Sequence, residues 1–451
     1  MSSNPERTGA PVVIIGGGIS GLATAYYVAK SGRRPVIIER EPRLGGVITT
    51  EAIEGCVIEG GPDSFLSAKP AALELINELG LGDDVIDSND HRRVTYIWKR
   101  GRLTPLPDGL MMMVPTRVLP VAFSRLLSVS SKVRMGLEYF RKPAPGDGRD
   151  RSVSDFIEDH YGREAVEYLA EPLLAGVFGG DPAELSATST LTRFVELEKL
   201  HGSLTRGVLA GRKASGGAAS GSLFKTLRRG LAQLVDALLP SIGTLVRGEA
   251  ETVSASRGVR VNGEWIPARH VVLACPAHAA SRLTAGADPE LAKMLGAIGY
   301  SSSVTVAFGY RREQWDPPLD GFGFLVPKRE RKPGEMVACT WVGTKFPNRV
   351  PDSHALLRCF IRGEEYDEAA VCDQLRRVMG VTVEPAFTRV FRWPRAMAQY
   401  TVGHGERQKL IDARMQGHDW LHLVGNGYHG IGIPDCVRLG RQAADRIAGS
   451  A

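Results

Sequence analysis

The sequence predicts an α/β protein (α+β overall), with a parallel nucleotide-binding sheet, a second mixed sheet and a helical insertion. Three observations predict it. The apolar run Val12-Val13-Ile14-Ile15 enters glycines spaced G-x-G-x-x-G at Gly16, Gly18 and Gly21. A second glycine-rich loop over 425–432 precedes Pro434, near the far end of the 451 residues. Between the two, strand-like runs at 302–310, 323–326, 336–341 and 355–361 are followed by a helical stretch at 365–379.

Each element has a reason. A strand buried on both faces is continuously apolar, as 12–15 is. Gly16 permits a tight turn, Gly18 lets backbone approach a pyrophosphate, and Gly21 lets the helix pack on the strand. Residues 22–30 read as that helix, with Gly32 placed to stop it. Its first-turn amides and dipole favour an anion. A second strand, Val36-Ile37-Ile38, ends at Glu39, about 20 residues after the glycines, where a ribose hydroxyl needs an acceptor. Arg40, Arg43 and the Gly45-Gly46 pair follow. A nicotinamide-only unit goes straight into its next crossover helix, so this insertion points to a flavin dinucleotide.

Farther on, Gly60-Gly61-Pro62-Asp63-Ser64 makes a turn with little side chain to obstruct a flat ring. A helix is expected over 70–81, a strand over 94–98 and a hairpin turn at Lys99-Arg100-Gly101-Arg102. Residues 116–205 carry helical signals, best at 126–140 and 154–169, with Ser152 or Ser154 as N-cap. The small-residue stretch 171–181 interrupts them; it fits either a planar substrate on backbone or close helix packing. Residues 211–222 read as a flexible linker. An amphipathic helix is expected over 224–239, broken at Arg229-Gly230, and strands over 246–254, 259–261 and 271–275. The last of these returns the chain to the first sheet. Pro434 suits the first turn of a final helix, whose small inner face carries Cys436, Gly440 and Ala443. Two glycine loops at helix starts suit one long dinucleotide such as FAD.

The predicted domains are therefore discontinuous. Residues 1–80, 223–285 and 390–451 bind the dinucleotide, 81–110 and 286–389 form the substrate sheet, and 111–210 form a helical domain.

Composition narrows the function. A net charge of +6 leaves acidic small molecules, membranes and nucleic acid as partners, and no nucleic-acid signature accompanies the basic clusters. Six scattered cysteines without C-x-x-C argue for reduced thiols in the cytoplasm and against a metal centre. The polar first ten residues do not read as a signal peptide, and no apolar run reaches the roughly 18 residues of a spanning helix. The run 110–115 reads as a buried helix end or a flexible part of a substrate site, with peripheral membrane contact as the other use.

The chain resembles the oxygen-dependent porphyrinogen oxidases of the flavin amine oxidase superfamily. The likeness is carried by GGGISG, RLGG, EGGPDSF, EPLLAGVFGGD, CTW, RWPRAMAQY and GIGIPDC. It looks most like the coproporphyrinogen III oxidases, with protoporphyrinogen oxidases as the near alternative and a non-turnover flavin or porphyrin-binding protein as the rival of another class. The resemblance implies FAD contacts at Gly16, Gly17, Gly18, Ile19, Ser20, Gly21, Glu39, Arg40, Arg43 and Gly46. It also implies contacts at Gly60, Gly61, Pro62, Asp63, Ala250, Trp393, Ile431, Gly432 and Ile433. An arginine that many of these proteins carry just before the 96–98 strand is Thr95 here, which leaves Lys69, Arg92 or Arg93 for substrate carboxylates. Gly176 and Phe178 are the expected substrate contacts on the 171–181 stretch. The implied reaction consumes molecular oxygen and releases hydrogen peroxide. No catalytic residue is assigned, because the flavin carries the chemistry.

Overall fold

The computed structural model describes residues 11–143, 148–214 and 221–450. The first ten residues, and with them the signal-peptide expectation, lie outside these residues. So does the middle of the expected linker, residues 215–220.

The first sheet is five-stranded, and Val12–Ile15 is its centre. Pro35–Glu39 and Thr244–Arg247 lie on one side of it, His270–Leu273 and Leu421–Leu423 on the other, all parallel. All four residues of Val12–Ile15 are buried, because helices cover one face, and a small sheet of Ala250–Ser254, Gly258–Val261 and Glu264–Ile266 together with helices Ala277–Thr284 and Pro289–Gly296 covers the other. The helix Ile19–Lys30 and the carboxy-terminal helix Ile433–Gly449 pack on one face. They approach closely where Gly440 meets Ser20 and Thr24, with no room for a Cβ.

The second sheet has seven strands. Phe387–Gln399 forms one edge, followed by Gly299–Arg311, His354–Arg362, Ala338–Trp341, Gly323–Leu325, Thr95–Lys99 and Arg102–Pro105. All pairs are antiparallel except Gly323–Leu325 with Thr95–Lys99. The predicted hairpin at 99–102 is present, with Arg100 and Gly101 both at positive φ. Helix Glu368–Met379 packs on this sheet through Val371, Leu375 and Val378. The third unit, built from residues 118–143 and 148–214, is mainly helical around its own core of Phe156, Ile157, Tyr161 and Leu169.

Several expectations change. The helix expected over 224–239 begins as the strand Phe224–Leu227, which fills the gap between Phe65–Leu66 and Val85–Asp87; the helix is only Ala232–Leu238. Pairing on both sides outweighs local helix propensity there. The strand expected over 246–254 is two strands in two sheets, divided at Gly248 with φ of 157°. Stretch 171–181 is a helix, Glu171–Phe178, ended by Gly179 in the left-handed region. Run 110–115 is a hairpin of Leu110–Met111 and Val114–Pro115, turned at Met112 with positive φ. Residues 211–214 complete helix Leu204–Ala214. Residues 390–399 run in the seven-stranded sheet, because Phe387–Gln399 pairs along its length with Gly299–Arg311. Among the described residues, no helix is long and apolar enough to cross a membrane.

Candidate active site

The site is assembled at the carboxyl ends of the parallel strands, where ligands of open α/β sheets bind. Gly16 leaves its strand with φ of 109°, and a Cβ there would lie 2.6 Å from the Ala274 carbonyl oxygen. At Gly21 a Cβ would lie 1.9 Å from the Gly16 carbonyl oxygen, so both positions demand glycine. Gly18 differs. Its Cβ direction is open, with only the Gly46 Cα at 3.9 Å. The Gly45 amide donates to the Gly17 carbonyl at 2.8 Å and brings the two glycine loops face to face. Together Gly18 and Gly46 leave a cradle where backbone, and no side chain, borders the space.

Helix Ile19–Lys30 opens at that cradle, and the carboxy-terminal helix begins at the same end of the sheet. Tyr27 lies against Arg441, and Arg33 reaches the Ala448 carbonyl, while Ser20 and Thr24 meet Gly440. The contacts advance together along both helices, so Ile19–Lys30 and Ile433–Gly449 run parallel. Their positive ends therefore lie at the same end of the sheet. Neither N-cap, Gly18 or Gly432, carries a side chain of its own, and at the second the Asp435 carboxylate accepts from the Gly432 amide at 3.2 Å. An anionic group at the Gly18–Gly46 cradle would meet the first amides of Ile19–Lys30.

The predicted contacts divide into those at this cradle and those elsewhere. The Glu39 carboxylate accepts from the Gly17 amide at 2.6 Å and from Glu41 at 2.9 Å, beside the loop. Ala250 begins its strand just past Arg247, which is paired in register with Glu39. Arg43 folds back onto its own loop, donating to the carbonyls of Leu44, Ile48 and Gly46. It shapes the Gly45-Gly46 turn, and its guanidinium is spent there. Arg40 is exposed and paired with Glu41 and Glu249 at 3.2 and 3.6 Å. Ile431, Gly432 and Ile433 open the last helix.

The turn through Gly60, Gly61, Pro62 and Asp63 is wedged on every side. A Cβ on Gly60 would meet the Phe391 ring at 2.5 Å, and one on Gly61 the Val47 carbonyl oxygen at 1.9 Å. Trp393 donates its indole N–H to the Gly60 carbonyl at 2.8 Å. Arg358, buried in the centre of the second sheet, donates to the Gly61 carbonyl. It also pairs with Asp63 at 3.0 Å, and Lys345 pairs with Asp63 at 2.8 Å. Burial raises the Asp63 carboxyl, but Lys345 and Arg358 more than offset this and hold it well below the usual carboxylate range. Arg349, also buried, pairs with Glu59 at 3.0 Å at the other end of the turn.

The expected substrate residues are less uniform. Gly176 is exposed on the helix Glu171–Phe178, and its Cβ direction is open except for Leu325 at 3.8 Å. Gln399 donates to the Phe178 carbonyl at 2.8 Å, and Met397 and Ser301 crowd Gly179. This helix end is thus tied to the strand that carries Trp393. Lys69, in contrast, is engaged by Asp435 at 2.6 Å in the first turn of the last helix. Arg92 is exposed in the short turn Asp90–Arg92. His429 faces away from the cradle, toward Gln408 and Asp412 at 3.2 and 3.1 Å.

Lys345, Arg349, Arg358 and Gln399 were not singled out from the sequence. Arg358 did leave a signal, since it is the one charge in the otherwise apolar run 355–361. A charge in a central strand is buried only with partners.

The cradle fits a dinucleotide, and the comparisons identify the class. The model of the family described as flavin containing amine oxidoreductase matches residues 19–448. A coproporphyrinogen III oxidase of Propionibacterium freudenreichii subsp. freudenreichii is 33% identical, over 99% of this chain and 92% of its own. The coproporphyrinogen III oxidase of Bacillus subtilis (strain 168) is 33% identical over 96% of each chain. A crystal structure from Exiguobacterium sp. 255-15, of a candidate protoporphyrinogen oxidase, has a TM-score of 0.85 at 28% identity. It covers 99% of this chain and all of that one.

Proposed function

The chain belongs to the flavin-containing amine oxidoreductase family, and on that premise we propose that it oxidises coproporphyrinogen III to coproporphyrin III in heme biosynthesis. It is an FAD-dependent oxidoreductase. The observation that carries the reading is the Gly18–Gly46 cradle, free of side chains at the start of Ile19–Lys30, in a chain similar end to end to coproporphyrinogen III oxidases.

Bound FAD supplies the redox chemistry, taking electrons from the substrate and passing them to oxygen, which leaves as hydrogen peroxide. The chain's own residues bind, orient and exclude water. The first-turn amides at Ile19 and Ser20, with Gly18 and Gly46, would hold the pyrophosphate; Glu39 would take the ribose, and Ala250 would lie beside the adenine. The Gly60–Asp63 turn, Trp393 and residues 431–433 border the ring. Gly176 and Phe178 border the substrate on its far side, where small residues leave room for a tetrapyrrole. Three rounds are needed to reach the aromatic product, so the substrate must turn between rounds, which an open margin at Gly176 permits. The domain limits proposed from the sequence group these residues as a dinucleotide unit facing a substrate sheet.

Anaerobic addition of coproporphyrinogen III should bleach the bound flavin, and air should restore its colour with a fluorescent porphyrin as product. Faster bleaching by protoporphyrinogen IX would move the assignment to that substrate. A flavin that stays oxidised with both would leave a binding protein without turnover.

The reading also includes peripheral contact with the cytoplasmic face of a membrane. Helix Val118–Phe123 exposes Val118, Leu119 and Phe123, and Val129–Glu138 exposes Val129, Val133 and Leu137. Residues 117–142 carry six lysines and arginines, and their one acid, Glu138, is buried. Exposed apolar side chains among cations suit an anionic bilayer. Vesicles with anionic lipid should float the protein, and Phe123→Asp should weaken that binding. Equal binding to neutral vesicles, or none, would remove the membrane from the reading.

A further inference from the structure

The Gly60–Asp63 turn is braced by more positive charge than the brace itself neutralises. Asp63 faces two cations, Lys345 at 2.8 Å and Arg358 at 3.0 Å, and its remaining partner is the neutral Ser64 hydroxyl at 2.7 Å. At the other end of the turn Arg349 and Glu59 match one to one. Across the five groups there are three cations and two carboxylates, an excess of one positive charge. These groups are not a solvated surface: Arg358 and Arg349 are 1% and 2% exposed. Among the described residues the Nε–H of each has no acceptor. The Lys345 ammonium is enclosed between the Phe224 and Phe346 rings, 5.2 Å from each centroid. Burying an unmatched charge is costly in a resting protein, so its retention calls for an anion that arrives.

We propose that Lys345 and Arg358 are positioning residues whose unmatched charge, fixed behind the Gly60–Asp63 turn, stabilises the reduced, anionic form of the flavin and thereby sets its reduction potential. This rests on the proposed function, which puts the turn against the ring. The substrate gives up two electrons and two protons in each round. Both electrons and one proton stay on the ring, and the other proton leaves to solvent, so one negative charge appears where none stood before. A cation fixed nearby favours that product over the oxidised, neutral ring. The Arg358 fork adds geometry to charge: one arm holds the Gly61 carbonyl and the other holds Asp63, so the turn keeps its place as the ring charges.

The test is an anaerobic titration of the bound flavin in the FAD-loaded, full-length protein against a dye of known potential. Lys345→Gln removes one positive charge and should lower the ratio of reduced to oxidised flavin roughly tenfold at a fixed dye potential. Asp63→Asn removes the opposing charge and should raise that ratio by a similar factor. Arg358→Lys keeps the charge and should stay within about threefold of the wild type. A merely structural role would not give opposite signs for the first two. Shifts in the same direction, or both under about twofold, would overturn the proposal. Should Lys345→Gln fail to fold, the near-isosteric Asp63→Asn decides alone: a rise upholds the brace and no rise sinks it. A wild type that retains no FAD would sink the proposed function instead, which keeps the two failures distinct.

Discussion

The parallel sheet and the helical unit both bury histidines, and in opposite charge states. His422 and His270 share a hydrogen bond at 3.3 Å between adjacent strands. Burial, then the partner ring and Arg446, pushes His422 down to about 3. His270 is also lowered, by burial and then by Arg269 and Arg33. In the helical unit, His160 places Nδ1 at 2.9 Å from Glu138 and Nε2 at 3.1 Å from Glu198. Burial lowers its pKa, but the two carboxylates more than reverse this and leave it raised. Both ring nitrogens face acceptors, so the ring is held as a cation. The contrast teaches that burial by itself does not choose a histidine's charge; the groups that close around it do.

The largest way to break the comparison is to remove the helical unit's anion. Glu138 accepts from His160, from the Leu204 amide at 2.6 Å and from the Ser203 hydroxyl at 2.9 Å. Glu138→Ala strands a buried imidazolium and the start of the next helix, and should cost roughly 4 kcal/mol in urea unfolding.

Acid should act mainly on the sheet. The unfolded chain takes up protons on these histidines near pH 6.5, whereas the folded pair resists them. Below that pH the unfolded state binds more protons, so stability falls as pH drops toward the depressed folded values. We expect His422 to contribute roughly 2–3 kcal/mol of loss between pH 6.5 and 4, and His422→Phe to flatten that slope in urea midpoints.

Alkali should act on the helical unit, with the opposite sign. His160 is bound to its proton more tightly when folded, so its contribution is complete below about pH 6.5 and is lost as pH rises through the raised folded value. That loss should be absent from a His160→Gln protein compared over the same range. A wild type with identical acid and alkaline slopes in both variants would end the contrast.

Arg40→Ala should have the smallest effect. The exposed pairs with Glu41 and Glu249 are weak, so FAD affinity by fluorescence titration should change less than about threefold. A larger loss would return Arg40 to the cofactor contacts.

Much of the fold was legible because its signals are local. The strands Val12–Ile15, Pro35–Glu39 and His270–Leu273 and the hairpin at 99–102 follow from apolar runs and turn residues within a few positions of each other. The strand Phe224–Leu227 was read as helix because its short sequence is helix-compatible, and only two distant partners, at 65–66 and 85–87, make it a strand. The break at Gly248 was missed for the same reason: Thr244–Arg247 and Ala250–Ser254 look like one run until they join different sheets. At the site, Arg43 has the residue type of a phosphate ligand, yet three nearby carbonyls capture it.

By itself the sequence determined the glycine loops, the helices that open from them and the acid at Glu39, because backbone conformation and dipole direction are written within about thirty contiguous residues. Only the tertiary structure decided which charges meet at the Gly60–Asp63 turn. Lys345 lies 282 residues from Asp63, and Arg358 lies 297 from Gly61. An ion pair depends on distance in space, and a sequence fixes that distance only after the second sheet has folded against the first.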